Sequence, residues 1–169
     1  MKKTIFILFI LFPLLSSAQF NIKGIGLRGG ITNGIIVDFN DTGRPIRTIL
    51  SFRNSGMQVT GLQMLYHPLE WKSKYGDWEW YYGYGIHAGF ERFDRIHKRK
   101  DGNFVDYSIT QAWSPCIGGD GILGISINLN RYPITISADL KPFLNIGGQK
   151  LVSVNKTDGA IGIIYHIIK

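Results

Sequence analysis

The chain has 169 residues, enough for one domain with a core of its own. Its 19 basic and 12 acidic residues give a net charge of +7, and its single cysteine, Cys116, excludes both a disulfide framework and a zinc cluster. No run alternates basic and aromatic residues as a strand-binding groove does, so nucleic acid is not an expected partner, and no residue set asks for a metal or other cofactor.

In chain order, residues 1–18 read as a secretory signal peptide. Lys2 and Lys3 form its charged start, Thr4 to Leu15 an apolar stretch too short to span a bilayer, and Ser16-Ser17-Ala18 the small residues before a cut near Gln19. No cysteine follows the cut, so no lipid anchor is expected. Loss of Lys2 and Lys3 leaves 17 basic against 12 acidic residues, a net +5. Residues 19–169 are then one domain, and no further run approaches the ~18 consecutive apolar residues of a membrane helix.

That domain alternates. Eight strands are expected over 23–30, 33–40, 45–53, 56–67, 77–93, 115–129, 132–145 and 158–168. The first contains Gly24-Ile25-Gly26-Leu27-Arg28-Gly29, which fits G-x-G-x-x-G. A dinucleotide fingerprint needs a strand before it and a helix after it; here a leader precedes and Thr32-Asn33-Gly34 follows, so a glycine-rich barrel wall is expected instead. The fourth strand alternates least, and its facing is open. The fifth is clearest: Trp78, Trp80, Tyr82, Tyr84, Ile86, Ala88 and Phe90 fall on one face, and Glu79, Tyr81, Gly83, Gly85, His87 and Gly89 on the other. The sixth, seventh and eighth repeat the pattern with Ile, Leu and Tyr opposite Gly, Ser, Asp and Lys. Turns are expected at 40–44, 68–76 and 130–131 on one side, and loops near 30–32, 54–55, 94–114 and 146–157 on the other.

Eight alternating strands behind an export signal allow a soluble lipocalin-like barrel, apolar inside, or an outer-membrane barrel, apolar outside. Strands of about ten residues suit a ~25 Å hydrocarbon band, and the polar face is rich in glycine and charge, which an apolar ligand pocket would not want. The expected fold is therefore all-β, an eight-stranded antiparallel up-and-down transmembrane β-barrel in the cell outer membrane. Parity turns Arg28, Asp38, Arg47, Glu79, His87, Glu91, Asp120, Asp139 and Lys141 into the lumen, where enclosed charges must pair. His87 is expected beside Asp120. Trp78, Trp80, Tyr82, Tyr84, Phe90 and Tyr132 are expected as a lipid-facing aromatic girdle. The basic run His97-Lys98-Arg99-Lys100 sits in the longest outer loop, where Lys98, Arg99 and Lys100 suit the phosphates of lipopolysaccharide.

The segments WYYGYGIHAGF, GGDGILGISINL, YPITISADLKPFLNI and DGAIGIIYHI, in that order and preceded by LSFRNSGMQVTGLQMLYHPL, resemble the small outer-membrane β-barrel proteins of Bacteroidetes-type bacteria. The resemblance covers nearly the whole chain after the leader. It implies fold and location rather than an activity, with outer-membrane lipid, lipopolysaccharide and the barrel-insertion machinery as partners of a monomer. One departure is the end, Ile167-Ile168-Lys169, where such barrels carry a terminal aromatic; the last one here is Tyr165.

The resulting expectation is a structural or interaction barrel with a packed polar lumen, displayed loops and no catalytic activity. The alternatives are a narrow passive channel, a lipid A-modifying outer-membrane enzyme drawing on His97, Ser108 or Ser114, and a soluble periplasmic lipocalin-like binder.

Overall fold

The computed structural model describes residues 21–41, 43–53, 56–71, 73–101, 104–147, 152–155 and 158–167, with side chains for all of these except 41, 53, 93–101, 104–108 and 155. The expected signal peptide, residues 1–18, lies outside the described residues. The described chain is all strand and turn. It runs β1 (Asn21–Gly30), β2 (Asn33–Asp41), β3 (Arg44–Arg53), β4 (Gly56–Pro68), β5 (Gly76–Asp101), β6 (Phe104–Leu129), β7 (Ile134–Leu140), β8 (Phe143–Gly147), β9 (Val152–Asn155) and β10 (Gly159–His166).

All pairings are antiparallel, and the sheet closes. Neighbours run β1 to β6 in chain order, β6 pairs with β7, β7 with β10, and β10 returns to β1. The ten segments make eight barrel strands. β7 and β8 are one strand broken at Lys141-Pro142, because β6 keeps a single register against both, from Asn128↔Thr135 through Asp120↔Phe143 to Cys116↔Gly147. Proline removes one ladder donor without a slip, and Gly121 donates instead to the Pro142 carbonyl at 2.9 Å. β9 and β10 form the last strand. Their registers differ by one residue (Phe143↔Asn155 against Leu140↔Gly159), so the last strand has one more residue than β7–β8 between these two pairs.

Tight turns follow the chemistry of their residues. Asp41 pairs with Arg44 across a two-residue link in which Gly43 holds φ 81°, the left-handed region that glycine enters without a Cβ penalty. This turn, the β4–β5 and β6–β7 connections and the two ends of the described chain share one end of the barrel, here the turn end.

The other end departs from expectation. The described residues of 94–114, namely 94–101 and 104–114, are strand rather than loop. β5 and β6 are 26-residue strands that stay paired from Gly76↔Leu129 to Asp101↔Phe104. β4 leaves β5 at Met57↔Phe90, so the hairpin continues about 36 Å along the strand direction past that rim. Part of the expected loop 146–157 is likewise strand, β9 against β8.

The barrel is inside-polar and outside-apolar, with one addition. Leu27, Ile86, Ile161 and Ile163 on the outer face are 56–74% exposed. Within the lumen, Ile36, Ile49, Leu62, Met64, Tyr81, Ile122 and Ile164 pack into an apolar layer that the expectation of a polar lumen did not include. The layer also settles β4, whose Thr60, Leu62 and Met64 point inward while Val59 is exposed outside. An eight-stranded lumen has to be filled by side chains, and glycines make room for the large ones. A Cβ on Gly124 would lie 2.6 Å from the Tyr81 hydroxyl, and one on Gly118 2.9 Å from Nε2 of His87.

Candidate functional site

The lumen holds two polar clusters separated by the apolar layer. The upper cluster, toward the hairpin end, is a continuous chain of contacts. Arg28, on β1, is 2% exposed and places Nη2 2.6 Å from Asp139 of β7 and Nη1 3.4 Å from Asp158. The Thr32 hydroxyl joins them, 2.7 Å from Arg28 Nη1 and 2.8 Å from the Asp158 carboxylate. Lys141, 1% exposed, donates to Asp120 at 2.9 Å and lies 3.7 Å from Asp158. Asp120 offers its other oxygen to Nδ1 of His87 at 2.5 Å, and His87 Nε2 meets the Asn145 amide oxygen at 2.9 Å. The Asn145 amide donates onward to Glu91 at 3.0 Å.

Local sequence explains this convergence. Asp139, Lys141, Phe143 and Asn145 occupy alternate positions, and the unbroken register against β6 keeps all four pointing inward through Pro142. Asp158 shares the inward parity of Ala160 and Ile164, so its carboxylate meets Arg28 and Lys141, while its backbone carbonyl accepts from the Lys141 amide at 2.9 Å. Each buried charge therefore has a partner, as removal from water requires.

The lower cluster, at the turn end, is built on Arg47 of β3. Nε and Nη2 form a fork onto the two oxygens of Asp38 at 2.8 and 2.9 Å. Nη2 also reaches the Tyr66 hydroxyl at 3.2 Å, and the guanidinium lies 5.4 Å from the centre of the Tyr81 ring. Glu79 accepts from Ser126 at 3.0 Å, and Thr135 donates to Asn128 while bonding His166 Nε2 at 2.6 Å. A cavity of about 180 Å³ lies among these groups. Tyr81 links the clusters: its ring belongs to the apolar layer, and its hydroxyl is 3.4 Å from Asp139.

Comparison with family models, curated proteins and solved structures finds no match.

The expected lumen residues Arg28, Asp38, Arg47, Glu79, His87, Glu91, Asp120, Asp139 and Lys141 all point inward, and His87 meets Asp120. They do not form one ladder. Arg47 and Asp38 pair apart from the rest, below the apolar layer, and Glu79 belongs to that lower group. The expected girdle also divides. Trp78, Trp80, Tyr82 and Tyr132 gather toward the turn end, where His67 stacks on Trp80 at 4.6 Å and on Tyr82 at 5.7 Å, and Trp71 meets Trp78 edge-on at 5.7 Å. Tyr84 and Phe90 face outward farther up the wall, because a strand rises about 3.3 Å per residue and 78 to 90 crosses most of its height. Lys98, Arg99 and Lys100 lie on the hairpin beyond the rim rather than in a loop, and their side chains are outside the described residues. His97 and Ser108 are register partners on that hairpin, and Ser114 pairs with Glu91.

Sequence reasoning missed Thr32, Tyr66, Tyr81, Asn145, Asp158 and His166 as cluster members. Parity carried a signal for Asn145, Asp158 and His166, which continue the inward sets of their strands. Thr32 lies in a turn, where no alternation exists to place it.

Proposed function

We propose that this chain is a small outer-membrane β-barrel, monomeric and without catalytic activity, which acts through the surface it displays rather than through transport. The observation that carries the reading is the apolar outer wall around an ion-paired interior. Ile25, Leu27, Ile35, Val59, Ile86, Ile117, Ile125, Ile136 and Ile163, spread around the barrel, are all 39–74% exposed. Monomers in water rarely expose apolar patches beyond a few hundred Å², whereas a barrel in lipid needs such a wall on every strand. A lipocalin-like binder would have the faces reversed. The apolar layer across the lumen argues against ion passage, since a hydrated ion crossing it would lose its shell without replacement groups.

The hairpin end is the natural exterior face. It carries the basic run Lys98-Arg99-Lys100 on the long β5–β6 hairpin, suited to lipopolysaccharide phosphates, and the turn end then faces the periplasm. The resemblance to small Bacteroidetes-type outer-membrane barrels and the leader-like residues 1–18 support the same location, and insertion then falls to the barrel-assembly machinery.

The test is cell fractionation followed by gel migration with and without boiling. The protein should appear in the outer-membrane fraction and migrate faster unboiled. Recovery in the soluble periplasmic fraction would end the reading. Steady conductance steps in planar bilayers would replace it with the channel.

A further inference from the structure

Past the rim the β5–β6 hairpin has two open borders, and they are built differently. Among the described residues, β5 has no second neighbour beyond Met57↔Phe90, and β6 has none beyond Cys116↔Gly147. From Phe104 to Ser114, β6 therefore pairs with β5 on one side, and the peptide groups on its other side face no strand. Such a border is a template for another strand, and proteins guard it with charge, above all with Lys, or with Pro.

The β5 border is guarded. Eight of the eleven residues 91–101 are charged, with Lys98-Arg99-Lys100 in succession. The β6 border is not. Asp106 is the only charged residue among the eleven of 104–114, which include no Gly and no Pro, and six of the eleven are β-branched or aromatic. Ile109 and Trp113 are 67% and 62% exposed, and Thr110 and Gln111 between them are exposed as well. High β-propensity, low charge and open peptide groups over one stretch are the features that recruit an added strand.

Two other occupants fit this border poorly. Barrels in one membrane send β6 the same way, so the β6 borders of two copies would meet parallel, the less stable pairing. The antiparallel neighbour would be β5 of the second copy, which is the guarded border. This step rests on the membrane reading; the border itself does not. Lipopolysaccharide phosphates match the cations of β5, whereas 104–114 has no Lys or Arg to offer them.

We propose that the open border of β6, residues 104–114, takes up an extended segment of another polypeptide as an added antiparallel strand. Main-chain hydrogen bonds supply the attraction, and apolar or aromatic side chains of the guest lie beside Ile109 and Trp113. The guest is weakly charged and free of Pro, which would remove ladder donors. The surface displayed by the barrel thereby acquires a kind of partner.

The probe is a fluorescein-labelled peptide of the 104–114 sequence, which meets that description and, free in solution, can lie antiparallel to β6. It is titrated by fluorescence anisotropy against the full-length protein folded in detergent. Binding should be saturable, and hydrogen exchange should slow within 104–114 while staying unchanged within 91–101. The same peptide with Ser108→Pro and Ile109→Pro loses donors on both of its borders and should bind at least about tenfold more weakly. In the protein, Ile109→Lys with Trp113→Lys removes both apolar contacts and charges the border, and should weaken binding by about tenfold. Unboiled gel migration verifies that this variant folds. No saturable binding, protection of 91–101 in place of 104–114, or wild-type affinity in the double variant would each overturn the proposal. So would a dimer of the protein alone that the double variant abolishes, which assigns the border to a second copy. Protection of 104–114 by lipopolysaccharide and not by the peptide would overturn it in favour of lipid. Binding is read on isolated protein, so its failure is distinct from a failure in cell fractionation.

Discussion

Lys141→Met tests whether the upper cluster is held by charge balance. Lys141 Nζ lies 2.9 Å from Asp120 and 3.7 Å from Asp158, with side chains 0–1% exposed. Methionine keeps the length of the stem and deletes the charge. Asp120 would retain only His87, and Asp158 only Arg28 and Thr32, with Arg28 already shared with Asp139. Breaking a buried pair by removing one partner costs about 3–5 kcal/mol, because the remaining charge is stranded. The assay is urea unfolding in liposomes, followed by tryptophan fluorescence and by the heat-modifiable gel shift. Asp120→Asn added to Lys141→Met should recover a large part of the loss, since removing both members of such a pair is close to neutral. The reasoning is refuted if Lys141→Met costs under about 0.5 kcal/mol, the range of ordinary surface changes, or if the double variant is no better than the single one.

Three further outcomes follow from other parts of the barrel. Ile86→Arg, on the outer wall and 74% exposed, should cost about 2–4 kcal/mol if that wall meets hydrocarbon, and nearly nothing if it meets water; the same unfolding assay reads it. Gly124→Val should perturb Tyr81, whose hydroxyl lies where the new Cβ would go, and lower stability by about 1–3 kcal/mol, whereas Gly119→Val, with open space around it, should be close to wild type. Replacing Lys98, Arg99 and Lys100 together by Ala should weaken binding to lipopolysaccharide-containing vesicles in a salt-dependent way, with no change in melting; unchanged binding would remove the proposed contact.

Strand facing was legible because alternation exists wherever the two faces of a strand meet different surroundings. Trp80, Tyr82 and Ile86 against Tyr81, Gly83 and His87 is such a case, and the same reasoning placed His87 near Asp120 before any register was known. The signal vanishes beyond the rim. There Ile109, Thr110 and Gln111 are exposed in succession, and the run Arg95-Ile96-His97-Lys98-Arg99 shows no period, so a paired strand reads as a loop. The division of the lumen was hidden for a different reason. Ile36, Ile49 and Ile164 share inward parity with charged neighbours, and only the closing of eight strands brings them to one height. Asp158 shares the inward parity of Ala160 and Ile164, but only the closed sheet brings its carboxylate to Arg28 and Lys141.

The departure of β4 from β5 at Met57↔Phe90 has a consequence for how deep the molecule can sit. Above that pair, among the described residues, one border of β5 has peptide groups with no strand beside them, and hydrocarbon offers such groups nothing to bond. In the proposed membrane setting a bilayer would therefore climb no higher than Phe90 on that side. Below it the β4–β5 ladder runs to Pro68↔Glu79, roughly 3.3 Å per step, enough at a slant to match a lipid core of about 25 Å. The unhemmed border works as a draught mark on a hull, fixing the waterline from the backbone alone.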